Sequence, residues 1–492
     1  MKKNYRILHD LWVSLVGGYA GIPQDTRTIF STLAQSDAIK IDGLLYLSQA
    51  HPDMKKKSVS TLRLDCVRDG GSFCQTFLDS QVIKNVDPNE TMSARVKRKI
   101  MHKLPTMLKV KKLYALLTWN KFSLYPLDKL YGDFIWQQVF SKTLDSANRH
   151  EIVNSDFYYS DISFRHMQIS GYFGRDMFLD TRGYDFMLFP DVRPVHVSPG
   201  TKKIIRYHDS FGFLCPDFFQ TNHSKMHLNS LKACKKDSYF ACNSENTRQT
   251  LVNVFPELEA KTFVVPPVVR PYPKMKSWRV LKDICLKRMS RQLCREEDLT
   301  QVYSLLNQPE EFDYILSLST LEPRKNYVNL IQAWEKLNFE YKKNIKLVIV
   351  ANKGWLAQDI EQAMRPHIQA GNIIHLSGVS SEEMPYIFSH AKLFAYLSFI
   401  EGFGSPPLEA MQCECPILAA DNPTHRWSME DAALYVNPYD VDDIAQSMAK
   451  LLYQQGAAQL SEQLTLKALQ QVKKYSVENM RESWLTLFET LR

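Results

Sequence analysis

Two glutamates, Glu401 and Glu409, flank a Gly-Phe-Gly and a Pro-Pro in the stretch FIEGFGSPPLEAM. KLFAYLS before the pair reads as a buried strand and PPLEAMQCE as a helix, so EGFGS is a strand-to-helix turn. Pro406 and Pro407 set where that helix begins, since its first turn has no use for their missing N–H groups. Gly402 and Gly404 let the main chain come close to a ligand. Amides at a helix start attract an anion or a polar oxygen. Carboxylates that accept from hydroxyls, beside amides that donate to them, suit a polyhydroxylated ligand. The plainer alternative makes Glu409 a complement to the helix dipole and Glu401 a solvated loop residue.

A second turn, STLEPRKNY, joins the strand YILSLS to the helix YVNLIQAWEKL and puts Arg324 beside Lys325. A guanidinium grips two oxygens at once and an ammonium adds a compact charge, which together suit a phosphate. A solvated basic turn is the competing reading. It weakens because the pair falls in the same expected domain, at the same expected sheet edge, as the glutamate turn. In IIRYHDS, His208 and Asp209 end another strand, either as a cleft histidine with its orienting partner or as a structural pair. Asp440-Val441-Asp442 has the spacing of a metal-binding acidic pair, yet NPYDVDDIAQSMAKLL reads as a capped helix with acidic first-turn residues. VGGYAG, with Gly17 and Gly18, lacks the G-x-G-x-x-G spacing of a dinucleotide loop, so no such cofactor is expected.

These turns need a scaffold, and the apolar runs supply one. YRILHDL, YDFMLFP, KKIIRYHD, SYFACNS, TFVVPP, YILSLST, IKLVIVA, NIIHLSG, KLFAYLS and CPILAAD are strand candidates, with amphipathic stretches between many of them. Strand alternating with helix predicts open parallel α/β sheets, whose ligands sit outside the carboxyl ends of the strands. The alternation is loose before residue 184 and dense after 312, with a charged helical stretch between. The expected division is a first α/β domain over 1–290 carrying an insertion at about 50–150, a second over 291–475, and a helix over 476–492 that returns to the first.

The 492 residues are 45% apolar and 23% charged, a composition that builds cores rather than disorder. No apolar run reaches spanning length, and MKKNYRILHDLWVSLVGG reads as a first strand and glycine turn rather than a leader. Nine cysteines without a C-x-x-C pair argue against a disulfide framework or a zinc site and fit a reducing cytosol. The formal charge of +8 is concentrated: residues 91–127 hold nine Lys/Arg and no acid, interleaved with apolar side chains. That pattern suits a helix on an anionic membrane surface. A solvated basic face and a nucleic-acid contact are the alternatives, but no nucleic-acid module is recognisable and no such partner is expected.

The second half resembles the retaining glycosyltransferases of family 4. The resemblance is carried in order by LSLSTLEPRKNYVNLIQAWEKL, VIVANKGW, IIHLSGVSSEEMPYIFSHAKLF, EGFGSPPLEAM and EDAALYVNPYD. In the first half, GIPQDTRTIF, IIRYHDSFGFLCPDFF, FACNSENTRQTL and FVVPPVV match more loosely, and Trp427 stands where the family often has glutamate. The resemblance implies the GT-B fold, two Rossmann-like domains facing across a cleft, with a nucleoside-diphosphate sugar as donor substrate and no metal or other cofactor. It implies donor contacts from Arg324, Lys325, Val379, Glu401, Gly402, Phe403, Gly404, Ser405, Leu408 and Glu409. Glu401 would meet the sugar hydroxyls, Glu409 the ribose, Arg324 and Lys325 the departing diphosphate, and Val379 the base. His208 would face the sugar across the cleft, with Gly17, Gly18 and Asp209 on the acceptor side. Glu401, His208, Arg324 and Lys325 are thus the expected catalytic set. The implied activity is transfer of a hexose, mannose from GDP-mannose, to a lipid-linked or polysaccharide acceptor with retention of configuration, by a cytoplasmic enzyme peripheral on the inner membrane face. A sugar-nucleotide epimerase of the same fold, or a silent sugar-nucleotide sensor or scaffold, are the alternatives.

Overall fold

The computed structural model of the chain describes residues 5–16, 21–46, 121–160, 162, 177–215, 221–290, 299–308 and 310–492. Gly17, Gly18 and most of the basic segment 91–127 lie outside the described residues. In the first half the strands are β1 (Tyr5–Asp10), β2 (Ile39–Tyr46), β3 (Lys121–Phe122), β4 (Tyr125–Pro126), β5 (Phe157–Ser160), β6 (Met177–Leu179), β7 (Phe186–Phe189), β8 (Val195–Val197), β9 (Lys202–Tyr207), β10 (Ser238–Cys242) and β11 (Thr262–Val264). The second half has β12 (Tyr314–Leu318), β13 (Lys346–Val350), β14 (Ile373–Leu376), β15 (Leu393–Tyr396), β16 (Ile417–Ala420) and β17 (Leu434–Val436).

The first sheet has the order β11-β10-β9-β7-β1-β2-β5-β4, parallel except where β4 pairs with β5. The second runs β14-β13-β12-β15-β16-β17 and is parallel throughout. β3, β6 and β8 form a small third sheet. Strands buried on both faces need continuous apolar runs, which is why β13, with every residue buried, reads as KLVIV. In each large sheet the chain winds outward one way and then the other, so the order reverses once. The reversal lies between β1 and β7 in the first sheet and between β12 and β15 in the second. Diverging connections leave a crevice at such a point.

Each large sheet has its own core. The second core gathers residues from Val269 to Tyr475 and includes Leu281, Ile284 and Cys285 of the helix Trp278–Arg288. This helix, which precedes the division expected at 290/291, lays its apolar face on the second core. The helix Val477–Thr490 returns to the first domain, where Met480, Trp484, Leu487 and Phe488 pack with Tyr5 and Phe186. The two chain crossings meet, Val269 N–H donating to Tyr475 O at 3.0 Å. Among the described residues no helix is long and apolar enough to cross a membrane.

Candidate active site

The reversal point of the second sheet is where the two sequence-derived turns converge. After β12 the chain makes a single 3-10 turn, Pro323–Lys325, and Asn326 takes a left-handed conformation (φ 62°) to start the helix Tyr327–Glu340. Asparagine is among the few side chains that tolerate this region. After β15, Gly404 (φ 82°) plays the same part for the helix Ser405–Gln412. The two neighbouring loops bring Lys325 Nζ to 2.5 Å from Glu401 Oε1 and Arg324 Nη1 to 3.1 Å from Glu401 Oε2.

Around this pair the charges alternate. Arg324 Nε also donates to Glu322 at 2.9 Å, and Tyr396 Oη donates to Glu401 Oε1 at 2.9 Å. Burial pushes the Glu401 carboxyl up, but Lys325 and Arg324 together hold it well below the ordinary range, so it stays ionised. Burial pulls Arg324 down, yet Glu401 and Glu322 raise it above its ordinary value. Lys325 moves the other way: burial lowers its ammonium, with Glu401 opposing. Burying four charges costs solvation that offsets much of their mutual attraction, so the main effect of the cluster is to fix where the two cations stand. The cations are held but not used up, since Lys325 donates one of its three N–H groups to Glu401.

The first domain closes on the glycine turn. A Cβ on Gly402 would lie 2.2 Å from His208 O, so glycine alone permits this approach. Ser244 Oγ donates to Gly402 O at 2.6 Å and Thr424 Oγ1 to Glu401 O at 2.7 Å. The His208 main chain thus reaches the turn, while its imidazole Nε2 sits 3.0 Å from Pro190 O. Burial keeps that ring's pKa low and the ring neutral. Asp209 accepts from Phe211 N–H at 3.1 Å, and the Arg324 guanidinium lies over the Phe211 ring at 5.6 Å.

Glu409 stands in the helix behind the turn. Burial raises its carboxyl to about 7, with Arg270 and a hydrogen bond from Gln24 opposing. Gln24 belongs to the first domain, so Glu409 is touched from across the cleft. Val379 follows β14 and packs partly buried on the second core. Phe403 and Leu408 are core residues: Phe403 packs edge-on to Trp427 and Tyr475, and Leu408 is fully enclosed. Ser405 begins the helix.

Sequence reasoning missed several members of this site. Glu322, two residues before Arg324, carried a signal in its charge and position. Tyr396, Ser244 and Thr424 carried none, because each looks like an ordinary strand or loop residue. His425 is the clearest omission: its ring packs against Tyr396, centroids 5.1 Å apart and planes tilted by 45°, Nδ1 lies 2.9 Å from Ala420 O, and its buried Nε2 meets no partner. Asp440 caps the helix Val441–Leu452 by accepting from Asp442 and Asp443 N–H groups. Among the described residues no His, Cys, Asp and Glu cluster has the makings of a metal site.

Comparison with known proteins places this site in a family context. Residues 305–471 match the family model described as Glycosyl transferases group 1. O-antigen chain mannosyltransferase B of Escherichia coli is 32% identical over 178 residues, which is 36% of this chain and 46% of that protein. O-antigen chain mannosyltransferase RfbU of Salmonella typhimurium is 29% identical over 150 residues, 29% of this chain and 41% of that protein. The chain thus spans less than half the length of these curated relatives. Among solved structures, sucrose-phosphate synthase from Thermosynechococcus elongatus superposes with TM-score 0.55 at 12% identity, covering 99% of both chains. Anabaena HepE in complex with UDP and glucose does so with TM-score 0.52, again at 12% identity and 99% of both. Such identities speak for fold alone, and the fold is GT-B.

Proposed function

Given a Glycosyl transferases group 1 domain over residues 305–471 of a GT-B chain, we propose that this protein moves a hexose from a nucleoside-diphosphate sugar to a saccharide acceptor. The donor is GDP-mannose and the acceptor a lipid-linked or growing polysaccharide chain, with the anomeric configuration retained. The observation that carries the reading is the meeting of Arg324, Lys325 and Glu401 at the reversal point of the second sheet. The names of the O-antigen mannosyltransferase relatives support the choice of sugar.

The chemistry follows from charge. Breaking the bond between sugar and phosphate leaves an oxocarbenium-like centre and a departing diphosphate. Cations fixed beforehand where that negative charge grows stabilise the transition state without reorganising. Arg324 and Lys325 are fixed in this way by Glu322 and Glu401, so this reading needs no metal ion. Glu401 accepts from sugar hydroxyls, Glu409 from the ribose, and the amides of Gly402 to Ser405 donate to the ligand between them. Val379 lies against the base. Closure of the first domain through His208 and Ser244 excludes water and favours an acceptor hydroxyl over hydrolysis. Gly17, Gly18 and Asp209 stand on the acceptor side, and the basic segment 91–127 keeps the enzyme on the anionic inner face of a membrane.

The test is release of nucleoside diphosphate from a panel of sugar nucleotides, with and without mannose-terminated acceptors. Wild type should release GDP from GDP-mannose in an acceptor-dependent way. Lys325→Ala and Glu401→Ala should each lower turnover by roughly a hundredfold or more. Turnover without acceptor to an epimerised sugar nucleotide would make the protein an epimerase, and nucleotide binding without any turnover would make it a sensor. Undiminished turnover in both variants would dismiss the assigned roles.

A further inference from the structure

The proposed donor lies along the carboxyl edge of the second sheet. Val379, at the base, follows β14; the paired cations follow β12; Glu401, at the sugar, follows β15. In the order β14-β13-β12-β15-β16-β17, that sequence of loops runs from base to sugar, and the loop after β17 folds back against the loops that follow β12 and β15. That loop carries Tyr439, a residue 73% exposed. Its ring stacks on Phe399, centroids 4.7 Å apart and planes 19° from parallel. Phe399 sits two residues before Glu401.

Both rings are tied to the turn that bears the cations. Phe399 N–H donates to Arg324 O at 2.9 Å. Pro438 O accepts from Asn326 Nδ2 at 2.7 Å and from Asn329 Nδ2 at 3.0 Å. Tyr439 N–H donates to Asn437 Oδ1 at 3.1 Å, and Asp440 is the cap of the next helix. The fold therefore fixes a large aromatic ring in water, where its outer face contributes no packing. A tyrosine offers an apolar face with a polar tip, which matches a pyranose: C–H groups on one face and hydroxyls around the rim.

We propose that the Phe399–Tyr439 stack is a saccharide subsite that receives the acceptor chain at the sugar end of the donor. The inference rests on the transferase reading above. A nucleobase also stacks on aromatic rings, but the base end of the donor lies at the opposite edge of the sheet, beyond β13. Phe399, two residues before Glu401, sets the stack beside the transferred hexose.

Calorimetric titration of GDP and of synthetic α-mannotetraose into the full chain tests this, alongside acceptor kinetics with the same tetraose. Tyr439→Ala should weaken tetraose binding and raise its KM about tenfold, with kcat changed less than twofold and GDP affinity unchanged. Tyr439→Phe and Tyr439→Trp, which keep a ring, should restore binding. If wild type does not bind the tetraose, or Tyr439→Ala binds it equally well, the subsite is overturned, and GDP binding still stands for the donor site. If the tetraose binds in a Tyr439-dependent way while no nucleoside diphosphate binds, the subsite stands and the donor reading falls.

Discussion

Glu401 and Glu409 are both buried glutamates, and their surroundings drive their carboxyls in opposite directions. Glu401, beside Lys325 and Arg324, titrates below an ordinary carboxylate. Its charge therefore favours folding above the ordinary carboxylate range, and that contribution is lost as pH falls through its depressed value. Glu409 titrates at about 7. Its folded form holds a proton that the unfolded chain has already released, so stability falls as pH rises from its ordinary value of 4.5 towards 7. Glu409→Gln should accordingly melt above wild type at pH 8, by on the order of 2 kcal/mol, and the two should coincide near pH 4.5. Melting curves across that range decide it, and equal gaps at both ends would refute the assigned environment. A nucleotide whose ribose donates to Glu409 favours the charged form, so binding at pH 6.5 should release a proton. Heats measured in buffers of different ionisation enthalpy read that release directly.

At the scale of elements, two short turns with left-handed starters do the positioning. Asn326 combines a strained backbone region with a side chain that ties down Pro438 O. Asn326→Ala should cost about 2 kcal/mol, from the conformation and the lost hydrogen bond together, and urea titration measures it. Gly402→Ala forces its methyl against His208 O. Displacing the turn by about 1 Å should lower turnover roughly a hundredfold, whereas the melting of the second domain should hold, because the clash is with the first. These turns were readable in advance, since glycine, proline and adjacent charges mark them in the chain. The strand β2 was not: IKIDGLLY is broken by Asp42 and Gly43, which look like loop residues. Asp42 is enclosed and accepts from Tyr184 Oη at 2.8 Å, and Gly43 leaves room for the Phe157 ring. Both reasons are tertiary and invisible to periodicity. His425 escaped notice for a related cause, because only its neighbours make its unpaired nitrogen noticeable.

At the scale of the whole molecule, one sheet supplies the cations and the other closes over them, joined by two crossings that share the Val269–Tyr475 hydrogen bond. Adjacent crossings let the halves move about one line, which suits a site that must open for its substrates and shut for chemistry. The second crossing leads into the helix whose Trp484 is fully enclosed in the first core. Trp484→Ala should cost about 3–5 kcal/mol and should unfold the first domain before the second, so that a calorimetric scan splits into two transitions. A single unsplit transition at the wild-type temperature would contradict the packing. The same arrangement orders events on the ribosome. Strands made early leave an oily face uncovered, and Phe186 waits roughly three hundred residues for Trp484 and Phe488 to emerge. At 5–20 residues per second that delay is on the order of fifteen to sixty seconds. The half made first is thus the last to mature, and chaperones that shield nascent chains have their longest window there.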